Sequence, residues 1–264
     1  MKISYQLEAE LYHYSEGILP GAEDFISKYA AYRSEPTTTY VFSDEQQLEE
    51  AMSLLAKHRL SAERFYKFEL TPNELATYPA LYLGLYCTFE VFIIDEGKKR
   101  VNATVLDGYE IVQDYESDRI VVSPRVKKIL ENTTKEVHWE SIETTNAQEW
   151  FIMQVMEILP EPIVVPFPVS VEPEEDPAGT YAVRSDGRAA IAEANISKLA
   201  EVGIALSLEV QTPLQLLKWR PRFVASGAVI YAMQLAGVKD ILELTGPLLP
   251  ESHPLIQGSN LVCN

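Results

Sequence analysis

The sequence predicts an α+β protein in which helices pack against largely antiparallel or mixed sheets. Apolar β-branched or aromatic runs are short, polar turns separate them, and amphipathic helical patterns lie between several of them. A strand–serine–helix–strand passage also occurs three times, with Ser43, Ser123 and Ser226 at the predicted helix starts. Because these serines are irregularly spaced, the recurrence is either a duplicated unit or a coincidence of ordinary strand-to-helix connections.

The first half of the chain contains two well-defined helix signals. Residues 44–57 predict a helix because apolar residues recur at i, i+3, i+4 and i+7 behind a Ser43 or Asp44 cap. Residues 71–77 predict a second, short helix, since a capping-box spacing is followed by proline at the first helical position. Residues 25–32 also fit a short helix.

Strand signals follow these helices. Residues 81–94 and 100–112 are rich in β-branched and aromatic residues, and the polar loop between them predicts a hairpin. Residues 119–122 predict a further strand. The apolar run 150–159 fits a strand or a buried helix by periodicity, and we interpret it as a strand that enters a helix.

Three helices are predicted in the second half. One begins after Ser123 with proline at its first position and lasts one to two turns. The next covers residues 187–202 and ends at Gly203, and the third follows Ser226 and ends at Gly237.

Six prolines interrupt the chain between residues 160 and 177. Proline removes a backbone donor and restricts its neighbour, so we expect no regular structure there, only an acidic crossing or linker. The sequence predicts two parts, an N-terminal α+β domain over 1–115 and a second α+β domain over 116–264 that contains this crossing.

Composition narrows the classes of function. The net charge is −17, and all of it lies in residues 1–177, because residues 178–264 carry seven basic and seven acidic side chains. Such a field repels nucleic acid, so no nucleic-acid partner is expected. No apolar run reaches the length of a membrane helix, and two distant cysteines fit a reducing compartment. We therefore expect a cytoplasmic protein with no membrane partner.

The acidic residues concentrate where basic ones are absent. No Lys or Arg lies between Lys135 and Arg184. This interval is either a solubilising surface or a site that attracts a basic protein. On the second interpretation the candidate partner-binding residues are Glu161, Glu172, Glu174, Glu175 and Asp176.

Residue patterns for catalysis are missing from the sequence. The four histidines are far apart, and no phosphate-binding loop or serine nucleophile elbow is present. Ser226 is better explained as a helix cap than as a nucleophile, and Cys87 as a buried apolar residue than as a thiolate. We therefore expect no catalysis, no cofactor and no metal site.

Three segments from Arg119 onward match the pattern of a known family: the strand–Ser–Pro helix of residues 120–130, the strand 150–156, and the unit 222–226 with its later Gly237-Val238 step. In these segments the chain resembles the Imm11 family of bacterial immunity proteins, which occur beside polymorphic toxins. The resemblance implies a protein that neutralises a cognate toxin domain by direct binding, without catalysis. Two alternatives stay open: an adaptor or chaperone-like module that binds peptides at a sheet edge, and an enzyme acting on small molecules at an unfamiliar site. No oligomeric state is predicted.

Overall fold

The protein has the predicted α+β architecture. The structure, a computed structural model, describes residues 1–13, 17–29, 37–83, 85–88, 90–117, 119–163, 171–173, 181–185, 189–208, 222–238 and 246–257. Side chains are described throughout these ranges except at residues 37, 38, 87, 171–173, 181–185 and 208. Strands are numbered β1–β20 and helices α1–α7 in chain order.

The first sheet is antiparallel throughout. Its strands in spatial order are β15 (Val171–Pro173), β16 (Tyr181–Ser185), β5 (Ala62–Leu70), β1 (Lys2–Glu10) and β4 (Thr37–Phe42). Small hairpins accompany the sheets: β2 (Tyr12–His13) pairs with β3 (Gly17–Ile18), and β8 (Phe92–Asp95) pairs with β9 (Lys98–Val101).

The other two sheets are mixed. The second sheet consists of β12 (Val137–Glu143), β13 (Glu149–Val155), β11 (Ile120–Val122), β10 (Ile111–Asp114) and β7 (Cys87–Thr88), and only the last pair is parallel. The third sheet consists of β14 (Ile158–Pro162), β18 (Ile204–Leu208), β19 (Phe223–Ala225), β6 (Leu81–Tyr82), β20 (Gly246–Pro250) and β17 (Ala189–Ile191), with parallel pairs at both edges.

Helices cover the faces of these sheets. They are α1 (Ala22–Tyr29), α2 (Glu45–Lys57), α3 (Pro72–Thr77), α4 (Pro124–Thr133), α5 (Glu193–Val202), α6 (Gly227–Leu235) and α7 (Pro254–Gln257), with a 3₁₀ turn at Ala103–Leu106. Helices α1 and α2 pack on the first sheet around the buried Phe25 and Leu48. Helix α5 packs on the third sheet through Leu199.

One apolar cluster connects all three sheets. It contains Phe68 of β5, Ile120 of β11 and Ala225 of β19, together with Val126 of α4 and Val229 of α6. Strands from both sides of residue 115 also share sheets, since β16 pairs with β5 and β19 pairs with β6. Strand β10 also pairs with β11, so the predicted division at that residue lies between segments that share all three sheets and a core.

The proline-rich stretch contains more regular structure than expected. Residues 158–162 form β14 and residues 171–173 form β15, so the prediction that regular structure cannot persist there was wrong. Both are edge strands of their sheets. An edge strand has one side of its backbone outside the ladder, so a proline with its missing N–H on that side is tolerated.

Several predicted elements differ in length or type. Residues 150–159 enter a second strand rather than a helix, because the chain passes directly from β13 into β14. The predicted helix over 187–202 is replaced at its start by β17, and α4 has ten residues rather than one to two turns. Helix α1 covers 22–29, whereas residues 30–32 of its prediction lie outside the described residues.

The predicted hairpin has shorter strands. Residues 81–94 divide into β6, β7 and β8, and residues 100–112 are interrupted by the 3₁₀ turn. Only β8 and β9 form the hairpin. Its turn residues Glu96 and Gly97 both have positive φ, 50° and 77°, as the favoured two-residue turn requires.

Candidate protein-interaction surface

The structure divides the predicted acidic site between two sheets. Glu161 is exposed on β14 of the third sheet, whereas Glu172 lies on β15 of the first sheet, in register with Arg184. The side chain of Glu172 is not described, and Glu174, Glu175 and Asp176 lie outside the described residues. Glu161 is therefore the predicted site residue whose surroundings can be analysed.

A buried asparagine holds the backbone of Glu161 in place. The Asn195 side chain of α5 is fully buried, accepts from the Glu161 N–H at 2.9 Å and donates to the Glu161 carbonyl at 2.9 Å. The amide thus acts as a neighbouring strand would, satisfying both backbone groups of an edge residue. Sequence reasoning missed Asn195, although a polar residue on the apolar face of the predicted helix was a usable signal.

The segment before Glu161 exposes apolar side chains. Exposure alternates along it: Val155 and Leu159 are buried, whereas Met156 is 59% exposed and Ile158 is 54% exposed. Successive side chains of an extended chain point to opposite sides, so Met156 and Ile158 face solvent on the same side. Two large exposed apolar residues therefore lie together where the second and third sheets join.

Acidic residues of β12 lie beside this apolar pair. Strand β12 pairs only with β13 in its sheet, and the Met156 N–H donates to the Glu136 carbonyl at 3.4 Å. Glu140 is exposed and accepts from the Gln154 amide at 3.5 Å. We call the surface formed by Glu136, His138, Glu140, Met156 and Ile158 the β12–β14 surface, and we include the exposed Glu161 further along β14, where an irregularity in the pairing interrupts the alternation.

Nearby cations neutralise other carboxylates. Lys198 contacts Glu157 at 2.7 Å, and this hydrogen bond is the main cause that raises the pKa of Lys198. Arg100 contacts Glu143 at 3.3 Å and also Asp95. Within the described part of the chain, the carboxylates of Glu136, Glu140 and Glu161 form no salt bridge. Glu136 nevertheless contributes to raising the pKa of Lys198, so Glu140 and Glu161 are the more available of the three to a partner.

Other features of the described surface are a solvent-open depression and the serine at the start of α6. A depression of about 620 Å³ next to α1 and α2 is open to solvent, and Lys28 and Glu50 in its lining pair with each other at 3.5 Å. The described residues contain no group of His, Cys, Asp and Glu that could hold a metal ion. Ser226 precedes α6 as its N-cap residue, but its side chain forms no cap hydrogen bond.

Comparison with known proteins identifies no relative of this chain. No family model, no curated protein and no solved structure matches the chain. Among the described residues, none of the helices combines the length and apolar character needed to cross a membrane. Function is therefore inferred from the geometry and charge of the β12–β14 surface.

Proposed function

We propose that the protein binds another protein through the β12–β14 surface and acts as an immunity protein that neutralises a toxin domain. One observation carries this proposal. Met156 and Ile158 are exposed together, and the carboxylates of Glu136, Glu140 and Glu161, which form no salt bridge with described residues, lie along the same segment and its neighbouring strand. An apolar centre with a charged rim is the usual composition of a protein–protein interface.

The apolar pair and the carboxylates would have different roles. Burial of Met156 and Ile158 against a partner removes apolar area from water and slows dissociation. The carboxylates at the rim attract a positively charged partner from a distance and accelerate association. A toxin that cleaves nucleic acid needs a basic cleft, so it fits this charge pattern.

Charge across the chain favours the same class of partner. The net charge of −17 lies entirely in residues 1–177, and the interval from 136 to 183 contains no Lys or Arg. The resemblance of the C-terminal half to the Imm11 family adds a biological context in which the bound partner is a toxin. Binding alone would inhibit such a partner, without a cofactor.

The first test is to isolate the partner and to measure how the carboxylates affect association. The tagged protein is purified from its native host at low salt, and a stoichiometric partner is identified by mass spectrometry and then produced separately. The E136Q/E140Q/E161Q triple variant should associate at least about tenfold more slowly at low salt, with a weaker salt dependence. The E45Q/E49Q/E50Q variant on α2 carries the same charge change and should associate like the native protein.

The second test concerns neutralisation. Bacteria that express the partner alone should stop growing, and co-expression of the native protein should restore growth. Replacement of Met156 and Ile158 by serine should accelerate dissociation and reduce this rescue, because the apolar centre is lost. A partner that is harmless to cells, or whose binding is equally affected by the α2 control, contradicts the proposed function.

A further inference from the structure

The hydrogen-bond pattern of β12 identifies which of its backbone groups face outward. The Thr144 N–H donates to the Gln148 carbonyl at 2.8 Å, and the Met156 N–H donates to the Glu136 carbonyl at 3.4 Å. In an antiparallel pair, bonded and non-bonded residue pairs alternate. Even-numbered residues of β12 therefore bond to β13, and odd-numbered residues direct their N–H and carbonyl groups to the opposite side. Consistently, the Thr145 N–H donates away from β13, to the Val101 carbonyl at 2.9 Å.

Among the described strands, none pairs with the outward edge of β12 over most of its length. The hairpin β8–β9 reaches this edge only at its C-terminal end, where Val101 forms a bridge with Thr144. Within the described residues, the outward groups of Val137, Trp139 and Ser141 have no backbone partner. Exposed edges in stable proteins usually carry proline, lysine or a bulge, and residues 137–141 contain neither proline nor lysine.

The two faces beside this edge differ in chemistry. Glu136, His138 and Glu140 are exposed on one face, whereas Val137 and Trp139 are half-buried and pack against the central core on the other. A strand added to β12 would place alternate side chains over these two faces. Basic residues at alternate positions would meet the carboxylates, and apolar residues between them would extend the core face.

We infer that β12 binds an extended segment of its partner that alternates basic and apolar residues and joins the second sheet as an additional strand. This inference rests on the proposed function and specifies how the partner is recognised. Main-chain hydrogen bonds to Val137, Trp139 and Ser141 would supply affinity, and the charge pattern would supply specificity. The carboxylates that attract the partner would then also set the register of the added strand.

The test uses an eight-residue probe peptide of alternating lysine and valine. Binding should slow hydrogen exchange at the amides of Val137, Trp139 and Ser141 by at least about tenfold, the effect of one net hydrogen bond each. The even-numbered amides, already bonded to β13, should change little. A peptide of the same composition with lysines and valines in separate blocks should not produce this difference in exchange between odd- and even-numbered amides. Slowed exchange with both peptides, or with neither, overturns the inference.

Two substitutions separate the edge from the rest of the surface. The S141P variant lacks the outward backbone N–H of residue 141, which donates to no described residue. The S141A variant keeps this N–H but, like S141P, lacks the serine hydroxyl, which donates to Glu149 at 2.7 Å in the native protein. We expect S141P, but not S141A, to weaken peptide binding at least about tenfold. Methylation of the peptide nitrogens on the side facing β12 should have the same effect on the unaltered protein, and methylation of the other nitrogens should not. If the isolated partner depends on Glu136 and Glu140 while none of these changes matters, the proposed function stands and strand addition does not.

Discussion

The strand–serine–helix units at Ser123 and Ser226 have the same sequence pattern but begin their helices differently. Ser123 and Ser226 have nearly the same backbone angles, with φ of −68° and ψ of 160° and 153°. The Ser123 hydroxyl accepts from the Val126 N–H at 3.2 Å, whereas the Ser226 side chain accepts no capping bond. At the matching position of α6, the Val229 N–H donates to the backbone carbonyl of Ser226 at 3.1 Å, and the first N–H of this helix, that of Gly227, donates to the distant Tyr78 carbonyl at 2.8 Å.

The two helix starts differ at their first helical position. The first position of α4 is the exposed Pro124, and the first position of α6 is the buried Gly227, which packs closely against α3. Pro124 has no backbone N–H to satisfy, whereas the N–H of the buried Gly227 needs a fixed acceptor, which the Tyr78 carbonyl supplies. A shared motif can thus be completed by a local side chain in one unit and by tertiary structure in the other.

The largest difference between the units should appear at the first helical position. A Cβ atom at Gly227 would lie 1.9 Å from the Leu75 carbonyl oxygen. We expect Gly227→Ala to lower the free energy of unfolding by about 3 kcal/mol, measured by urea denaturation, because two backbones would have to separate. Pro124→Ala, at the same position of α4, should change it by no more than about 0.5 kcal/mol. Equal losses would show that the two helix starts are equivalent.

The junction between the units gives the next largest effect. Gly203 accepts from the Ser226 N–H, has a φ of 82°, and would place a Cβ atom 2.4 Å from the Thr133 carbonyl at the end of α4. Gly237 has a φ of 70° and no heavy atom within 4 Å of such a Cβ. Gly237→Ala should cost about 1–2 kcal/mol from backbone strain alone. Gly203→Ala should cost at least about 1 kcal/mol more in the same urea experiment. Similar costs would mean that contact with α4 does not matter.

A smaller effect should separate the two serines. Ser123→Ala removes a capping bond and should lower the free energy of unfolding by about 1 kcal/mol. Ser226→Ala removes no described cap and should change it by less than about 0.5 kcal/mol. Thermal unfolding of both variants under identical conditions provides the comparison. A larger loss for Ser226→Ala would contradict the absence of a side-chain capping bond at α6.

The smallest effect is a pH dependence confined to the Ser123 unit. Hydrogen bonds from Arg125 lower the pKa of Glu110, and Arg125 also donates to the Ala236 carbonyl at 2.5 Å, which connects α4 to the end of α6. Because the folded pKa lies below the ordinary value of 4.5, this stabilisation is complete above pH 4.5 and is lost as the pH falls further. The free energies of unfolding of the native protein and of Glu110→Gln should differ by less than about 1 kcal/mol at pH 7.

The difference in the free energy of unfolding between the native protein and Glu110→Gln should decrease below pH 4.5. Urea unfolding at a series of pH values measures it. The double variant Glu110→Gln/Arg125→Gln is the control, because it removes both charges and leaves no lone guanidinium. A difference that stays constant with pH would exclude ionisation of Glu110 as its cause.

Features decided by a few neighbouring residues were predictable. The capping box of Thr71 and Glu74, the start of α4 at Pro124 and the end of α5 at Gly203 all depend on contacts within one helical turn. The first unit shows the limit of this reasoning. Its helix was predicted with either Ser43 or Asp44 as cap, and Asp44 is the one that accepts, from the Gln47 N–H at 2.9 Å.

For the β12–β14 surface, only the sign of its charge was predictable from the sequence. The interval without Lys or Arg indicated an acidic surface and included Glu161. It gave no reason to select Met156 and Ile158, because Met156 lies between β13 and β14 and Ile158 begins β14, where a strand entering a helix and then a linker were expected. The two hydrogen bonds from Asn195 to the backbone of Glu161 could not be predicted, because they depend on the packing of α5 against β14.

By itself, the sequence determined the α+β class, most helix ends and the concentration of negative charge, since propensity, capping and charge act locally or simply add along the chain. Tertiary structure alone decided which strands became edges, which carbonyl completed α6, and which backbone groups of β12 were left facing outward. These depend on pairing between segments far apart in the chain, and a register shift of one residue would reverse every exposed and buried position.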